Sequence, residues 1–213
     1  MKSIVIIGAG GFGREVHWLI KQINREKEEW NFLGYIDDNV EVGTEINGKK
    51  VLGNLDYLLN QKENLSVAIA IGNAKVRKQL VERLSKNQKL EYPNLIAPDV
   101  YIDETVQLGK GNIITSGNIL TVNIKIEDFN IINLSCTIGH DVEFDSFVTV
   151  YPCANISGNV DIAAECELGT NSCIIQGIKI GRETIIGAGA VVIRNIEGKC
   201  TAVGNPVRII KRI

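Results

Sequence analysis

The chain has 213 residues, 45% of them hydrophobic and only 6% aromatic, with a formal net charge of -2 at neutral pH. That length accommodates one large domain or two small ones, and so few aromatics leave Ile, Val and Leu to build the core, as suits strands. No basic run of the kind that tracks a phosphate backbone is present, which argues against a nucleic-acid binder.

The start, MKSIVIIGAGGFGREV, carries an apolar run that stops at glycine. It is too brief for a signal-peptide core or a bilayer span, so a soluble, cytoplasmic protein is expected. Ser3–Ile7 reads as a strand ending in Gly-Ala-Gly-Gly-Phe-Gly, and Val16, Leu19, Ile20 and Ile23 mark an amphipathic helix after it. Phe32–Ile36 reads as a second strand closed by Asp37-Asp38. A turn-rich stretch with Gly43, Asn47 and Gly48 leads to short elements at Lys50–Leu52 and Leu55–Leu59. Val67–Ile71 reads as a buried strand ending at Gly72-Asn73, and Val76, Leu80 and Leu84 mark the next helix. Strands alternating with helical patterns predict a Rossmann-like α/β domain with a parallel sheet over residues 1–97.

Tyr92-Pro93 and Ala97-Pro98 change the pattern, because proline forces extended backbone before it. From Ile102 to Val192 every sixth residue is then aliphatic or Phe, without a break. The chance of that in one phase at this composition is about three in a million, which template counting treats as signal. A period of six is neither a helix nor a long strand. The chain must turn a corner every six residues and bury one large side chain each time, which predicts a hexapeptide parallel β-helix over about 99–197. The residue after each aliphatic is often a turn former, with Gly109, Gly139, Gly169, Gly181 and Gly187 falling there. Asn205-Pro206 breaks the chain, and Val207–Ile213 is expected to fold back as a cap, so that residues 98–213 form the second domain.

Five cysteines form no C-x-x-C pair, and their odd number argues against a disulfide framework. Cys136 and Cys166 stand four residues after the hexad aliphatic, where a small residue is wanted, so they read as buried hydrophobes, with a reactive thiol as the alternative.

GAGGFGREV, YIDDN followed by VLG, AIAIGN with Arg77, hexads containing GHD, and a closing GNPVRIIKR occur in that order. Together they resemble the sugar acetyltransferases of the sialic-acid O-acetyltransferase family, which includes bacterial N-acetyltransferases acting on nucleotide-linked amino sugars of the bacillosamine and perosamine type. The resemblance covers essentially the whole chain. It implies a left-handed β-helix, a homotrimer, and acetyl-CoA and a nucleotide sugar bound between adjacent subunits.

Gly8, Gly10 and Gly13 match G-x-G-x-x-G between a strand and a helix, a pattern that can hold a phosphate on helix-end amides. Nicotinamide binding is disfavoured, because the α/β segment is too short for two mononucleotide halves. The resemblance instead implies that Gly10, Gly11 and Phe12 contact the nucleotide sugar, that Asp37 and Asp38 meet the nucleotide, and that Gly72 lines the same pocket. Many members carry His at the position of Phe12. The purely structural alternative is that the glycines turn the chain and the two acids form a solvated turn.

Acetyl transfer from a thioester needs a base for the attacking group and donors for the oxyanion. Histidine suits that work, and the chain has only His17 and His140. His17 lies in the first helix beside Trp18, away from the repeat, and reads as a helix-surface or packing histidine. His140 stands in Ile138-Gly139-His140-Asp141, and the resemblance implies that it is the general base, with Asp141 raising its basicity. Adjacent side chains on a plain strand diverge, so the pair requires a corner between them. Two histidines cannot make a three-histidine zinc site, and no metal is expected.

For acetyl-CoA, the resemblance implies contacts at Thr149, Gly158, Thr170 and Ala188. Some members carry a second histidine at the position of Thr149. Arg208, Lys211 and Arg212 could meet CoA phosphates or form a solvated tail. The expected activity is acetyl transfer to the amine of a nucleotide-linked sugar. Sugar O-acetylation and a non-catalytic nucleotide-sugar-binding trimer are the alternatives.

Overall fold

A computed structural model describes residues 1–212, so the last residue of the predicted tail, Ile213, lies outside the described residues. The chain divides into two compact units, Met1–Pro98 and a second from Asp99 onward.

The first unit runs β1 (Lys2–Ile7), α1 (Gly11–Glu26), β2 (Trp30–Ile36), β3 (Glu45–Ile46), β4 (Lys49–Gly53), α2 (Leu55–Leu59), β5 (Leu65–Ile69), α3 (Ala74–Leu84) and β6 (Leu90–Glu91). Its sheet has the order β3-β4-β2-β1-β5-β6 and is parallel except for the β3–β4 hairpin. The order reverses beside β1, with β2 on one side and β5 on the other. In open α/β sheets that switch point is where ligands bind. β1 is buried from Ile4 to Ile7, and α1 presents Val16, Leu19 and Ile20 to the core. β5 begins and ends two residues earlier than its apolar run suggests. Ile71 and Gly72 leave the sheet, and their carbonyls accept hydrogen bonds from Arg77 Nη1 at 2.6 and 3.0 Å.

The second unit is a left-handed parallel β-helix with three strand columns. The first sheet holds Tyr101–Ile102, Ile119–Leu120, Thr137–Ile138, Asn155–Ile156, Cys173–Ile174 and Val191–Val192. The second holds Gln107–Leu108, Lys125–Ile126, Glu143–Phe144, Asp161–Ile162 and Lys179–Ile180. The third runs through Ile113–Ile114, Ile131–Ile132, Thr149–Val150, Glu167–Leu168, Thr184–Ile186 and Cys200–Val203. Strands of neighbouring coils pair in register 18 residues apart.

Every hexad aliphatic from Ile114 to Val192 is at most 2% exposed, and burying each contributes about 1.5–3 kcal/mol before entropy. Ile102, in the first coil, is 38% exposed. Four residues after the aliphatics stand mostly buried small, branched or polar residues, among them an asparagine ladder. Asn112, Asn118 and Asn130 accept the amides of Asn130, Cys136 and Val148 from the next coil at 2.7–2.8 Å.

The corners differ from the sequence expectation. Every sixth residue from Gly111 to Gly189 has positive φ, including Asn123, Asp141 and Asn159. The left-handed residue is thus the third after each aliphatic, not the first. The glycines at the first position have another cause. A Cβ on Gly109, Gly139, Gly169 or Gly181 would collide with the backbone or side chain of the next coil, and on Gly187 with the side chain of Val203. They are small because coils stack closely, not because they turn the chain.

After the cis Asn205–Pro206 bond, Arg208–Arg212 returns antiparallel to Cys200–Val203 as an exposed strand. Among the described residues, no helix is long and apolar enough to cross a membrane.

Candidate active site

His140 lies on the edge between the first and second sheets, in the corner Gly139–Val142. The backbone holds that corner from both sides. Asp141 N donates to Val122 O in the coil before, and His140 O and Ile156 O tie it to the coil after through Asn159 N and Gly139 N, at 2.8–3.1 Å. Backbone hydrogen bonds on both sides thus fix the corner in place, as a catalytic group requires.

Asp141 has φ 58°. That left-handed backbone swings its side chain back toward its neighbour, and His140 Nδ1 lies 2.8 Å from Asp141 Oδ2. The corner needed for the pair to meet is therefore present. The two side chains are 48% and 46% exposed, so the dyad is open to a ligand. The hydrogen bond from His140 holds the Asp141 carboxyl below the usual carboxylate range, and the nearby Asn123 side chain adds to it. Asn123 stands 18 residues earlier at the same corner, also left-handed. Sequence reasoning missed it, because nothing local marks a residue one coil away.

Gly158 stands one coil after His140. A Cβ there would overlap His140 Cε1 and Nε2, so the imidazole lies across its bare Cα. Thr170 and Ala188 stack on a different edge, between the third and first sheets, and both are exposed. Thr149 is 1% exposed, which leaves its side chain no free surface. One chain therefore brings together His140, Asp141 and Gly158, but not Thr170 and Ala188. Arg208 to Arg212 lie in the exposed last strand, with Arg212 3.6 Å from Glu197.

In the first unit, a cavity of about 150 Å³ opens at the switch point, lined by Gly8, Asp37, Asp38, Asn39, Ile71 and Val76 among others. Asp37 is committed to backbone: Oδ2 accepts Ala9 N and Oδ1 accepts Asn39 N, each at 2.8 Å. It staples the glycine loop to the end of β2. Asp38 Oδ1 accepts Leu55 N at 2.9 Å. Gly8 takes φ 101°, and a Cβ on Gly13 would collide with the Gly8 carbonyl, so both glycines are required by the turn. Gly10 caps α1 and Gly11 opens it, with Phe12 half-buried beside them. Gly11, Arg14, Glu15, Trp18 and Asn47 surround a second hollow. Gly72 is held through its carbonyl by the buried Arg77.

His17 is buried, with Nδ1 2.9 Å from Tyr35 Oη and the ring against Phe32. Burial and the nearby Lys21 and Lys49 lower its pKa to about 4. It is a packing histidine. Burial pushes the Cys136 and Cys166 thiols up to about 11 and 12, which leaves them poor nucleophiles.

A wider groove of about 510 Å³ crosses the second sheet. Its Asp161–Lys179 pair lies at 2.6 Å, and His140 does not line it. Size alone does not locate the chemistry.

The PglD N-terminal domain family matches residues 3–84. GDP-perosamine N-acetyltransferase of Escherichia coli O157:H7 is 31% identical over 214 residues, spanning 97% of this chain and 96% of that protein. The chain belongs to the nucleotide-amino-sugar N-acetyltransferase family. Solved members of this fold include the acetyltransferase domain of PglB from Neisseria gonorrhoeae FA1090 in complex with acetyl coenzyme A. It has 30% identity and a TM-score of 0.88, covering 98% of this chain and 99% of that one. Perosamine N-acetyltransferase from Caulobacter crescentus, with one histidine changed to asparagine, was solved in complex with CoA and GDP-perosamine. It has 26% identity and a TM-score of 0.89, covering 99% and 98%.

Proposed function

We propose that this chain is an acetyl-CoA-dependent sugar N-acetyltransferase of the cytoplasm. It moves acetyl from acetyl-CoA directly to the amino group of a nucleotide-linked amino-deoxy sugar. The observation that carries this reading is the exposed His140–Asp141 hydrogen bond on a hexapeptide-helix corner, in a chain whose full-length relative is an N-acetyltransferase.

An amine that attacks a thioester must lose a proton, and imidazole is the side chain suited to take it near neutral pH. Asp141 accepts from Nδ1 and so leaves Nε2 as the proton acceptor. The nitrogen–carbon bond forms, the carbon–sulfur bond breaks, and the proton held on Nε2 goes to the departing sulfur. His140 acts as the general base, and no enzyme nucleophile takes part. The perosamine enzyme in which a histidine became asparagine still held CoA and GDP-perosamine, which supports a chemical rather than a binding role for such a histidine.

Gly10, Gly11, Phe12, Asp38 and Gly72 contact the nucleotide sugar in this reading, while Asp37 shapes the loop. Thr170 and Ala188 contact the donor, and the buried Thr149 has no side-chain surface with which to do so. Two exposed, small residues stacked 18 apart fit a pantetheine arm laid along the coils. They stand on a different edge from His140, and a second subunit that set its own Thr170–Ala188 edge beside this His140 would complete the site, which favours a homotrimer.

The test is thiol release from acetyl-CoA with a panel of nucleotide-linked amino sugars and their hydroxyl counterparts. Turnover only with the amines supports the proposal. Turnover only with hydroxyls makes the chain an O-acetyltransferase, and tight nucleotide binding without thiol release makes it a sensor. Light scattering reads the oligomeric state.

A further inference from the structure

We propose that Gly158 is a positioning residue for the proton acceptor: its bare Cα provides the space in which the His140 ring lies while Nδ1 reaches Asp141. This rests on His140 being the base. The space a side chain would fill at 158 is already taken by Cε1 and Nε2 of His140. The ring therefore has a floor on one side and a hydrogen-bonded anchor on the other, the Asp141 carboxylate at 2.8 Å. The glycine beside the histidine serves the same arrangement. A Cβ on Gly139 would come within 2.6 Å of Gly158 N, so two facing glycines let the coils approach closely enough for the ring to span them. The backbone at 158 is not left-handed, so turn geometry does not demand glycine there.

An alanine at 158 must push the ring away, because the ring is the movable partner. The dyad bond then breaks and Nε2 leaves its place. A donor-contact role for Gly158 predicts something different, namely weaker acetyl-CoA binding with the dyad intact.

The experiment is Gly158→Ala, read in three ways: kcat, the dissociation constant for CoA, and the ring-nitrogen NMR signals of His140. The chain has two histidines, so His140→Ala assigns those signals by difference. The proposal expects kcat to fall about a hundredfold, the usual scale for a displaced catalytic group, with CoA binding within about twofold and the His140 signals moved off the Nδ1-protonated pattern. Weakened CoA binding with unmoved His140 signals overturns it, and so does a variant indistinguishable from the parent. If Gly158→Ala unfolds, the double variant with His140→Ala decides. Recovery of the stability of His140→Ala alone supports the ring as the obstacle, and persistent loss overturns the proposal. Failure of the parent chain to acetylate any sugar would sink the transferase reading, while the NMR signals still report whether Gly158 places the ring.

Discussion

His140 and Asp141 are adjacent in the chain, yet His140 Nδ1 and Asp141 Oδ2 stand 2.8 Å apart because Asp141 takes φ 58°. A β-helix corner thus does what a strand cannot, bringing consecutive side chains to one point. Asp141→Asn keeps an acceptor for Nδ1 but removes the charge that stabilises the imidazolium. We expect kcat to fall about 10- to 100-fold, which is no more than the lower end of a whole general-base contribution of about 10²–10⁴, and by less than in His140→Ala. Steady-state kinetics across pH check the order.

Asn123, one coil earlier at the same corner, also helps to hold the Asp141 carboxyl down. Its removal in Asn123→Ala should let the Asp141 carboxyl rise toward the usual carboxylate range, since losing a polar neighbour that favours the charged form favours protonation. Carbonyl-carbon NMR titration of Asp141 measures this directly. An unmoved titration would mean that His140 alone holds the acid down.

How much of this was legible in the sequence follows from what each feature depends on. The inward phase from Ile114 to Val192 is a local period, and the buried residues fall on it. The corners lie two positions later than the glycines imply. Glycine after the aliphatic suggested the turn, whereas the left-handed residue is often Asn, Asp, Glu or even Phe129, none of which announces itself. Asn123 and Gly158 act on the dyad from 18 residues away, and only the register connects them. In the first unit the glycine loop was legible because its turn is local. The hold of Asp37 on Ala9, and of Arg77 on Ile71, crosses between elements and left no local sign.

His17 links pH to stability. Its folded pKa is lowered to about 4 from 6.5, so between those values the unfolded chain binds a proton that the folded chain does not. Stability from this group is full above pH 6.5 and is lost as pH falls toward 4. The loss amounts to at most about 3 kcal/mol by the pKa difference. Urea unfolding at pH 7.5 and pH 5 should show a smaller difference for His17→Gln than for the parent chain.

Ile162 is 2% exposed in the β-helix core. Ile162→Asp buries an unpaired carboxylate or its protonated form, and should cost several kcal/mol, at the severe end of single substitutions. Thermal unfolding checks it. Ile102→Asp, at the open first coil, should cost much less.

The central claim is that His140 takes the proton of the attacking amine. Its most direct test is thiol release by His140→Ala, with circular dichroism and nucleotide-sugar binding measured on the same preparation. The account predicts a variant that folds and binds as the parent does but has lost turnover by a factor of about 10²–10⁴. Turnover at the parent rate would contradict it.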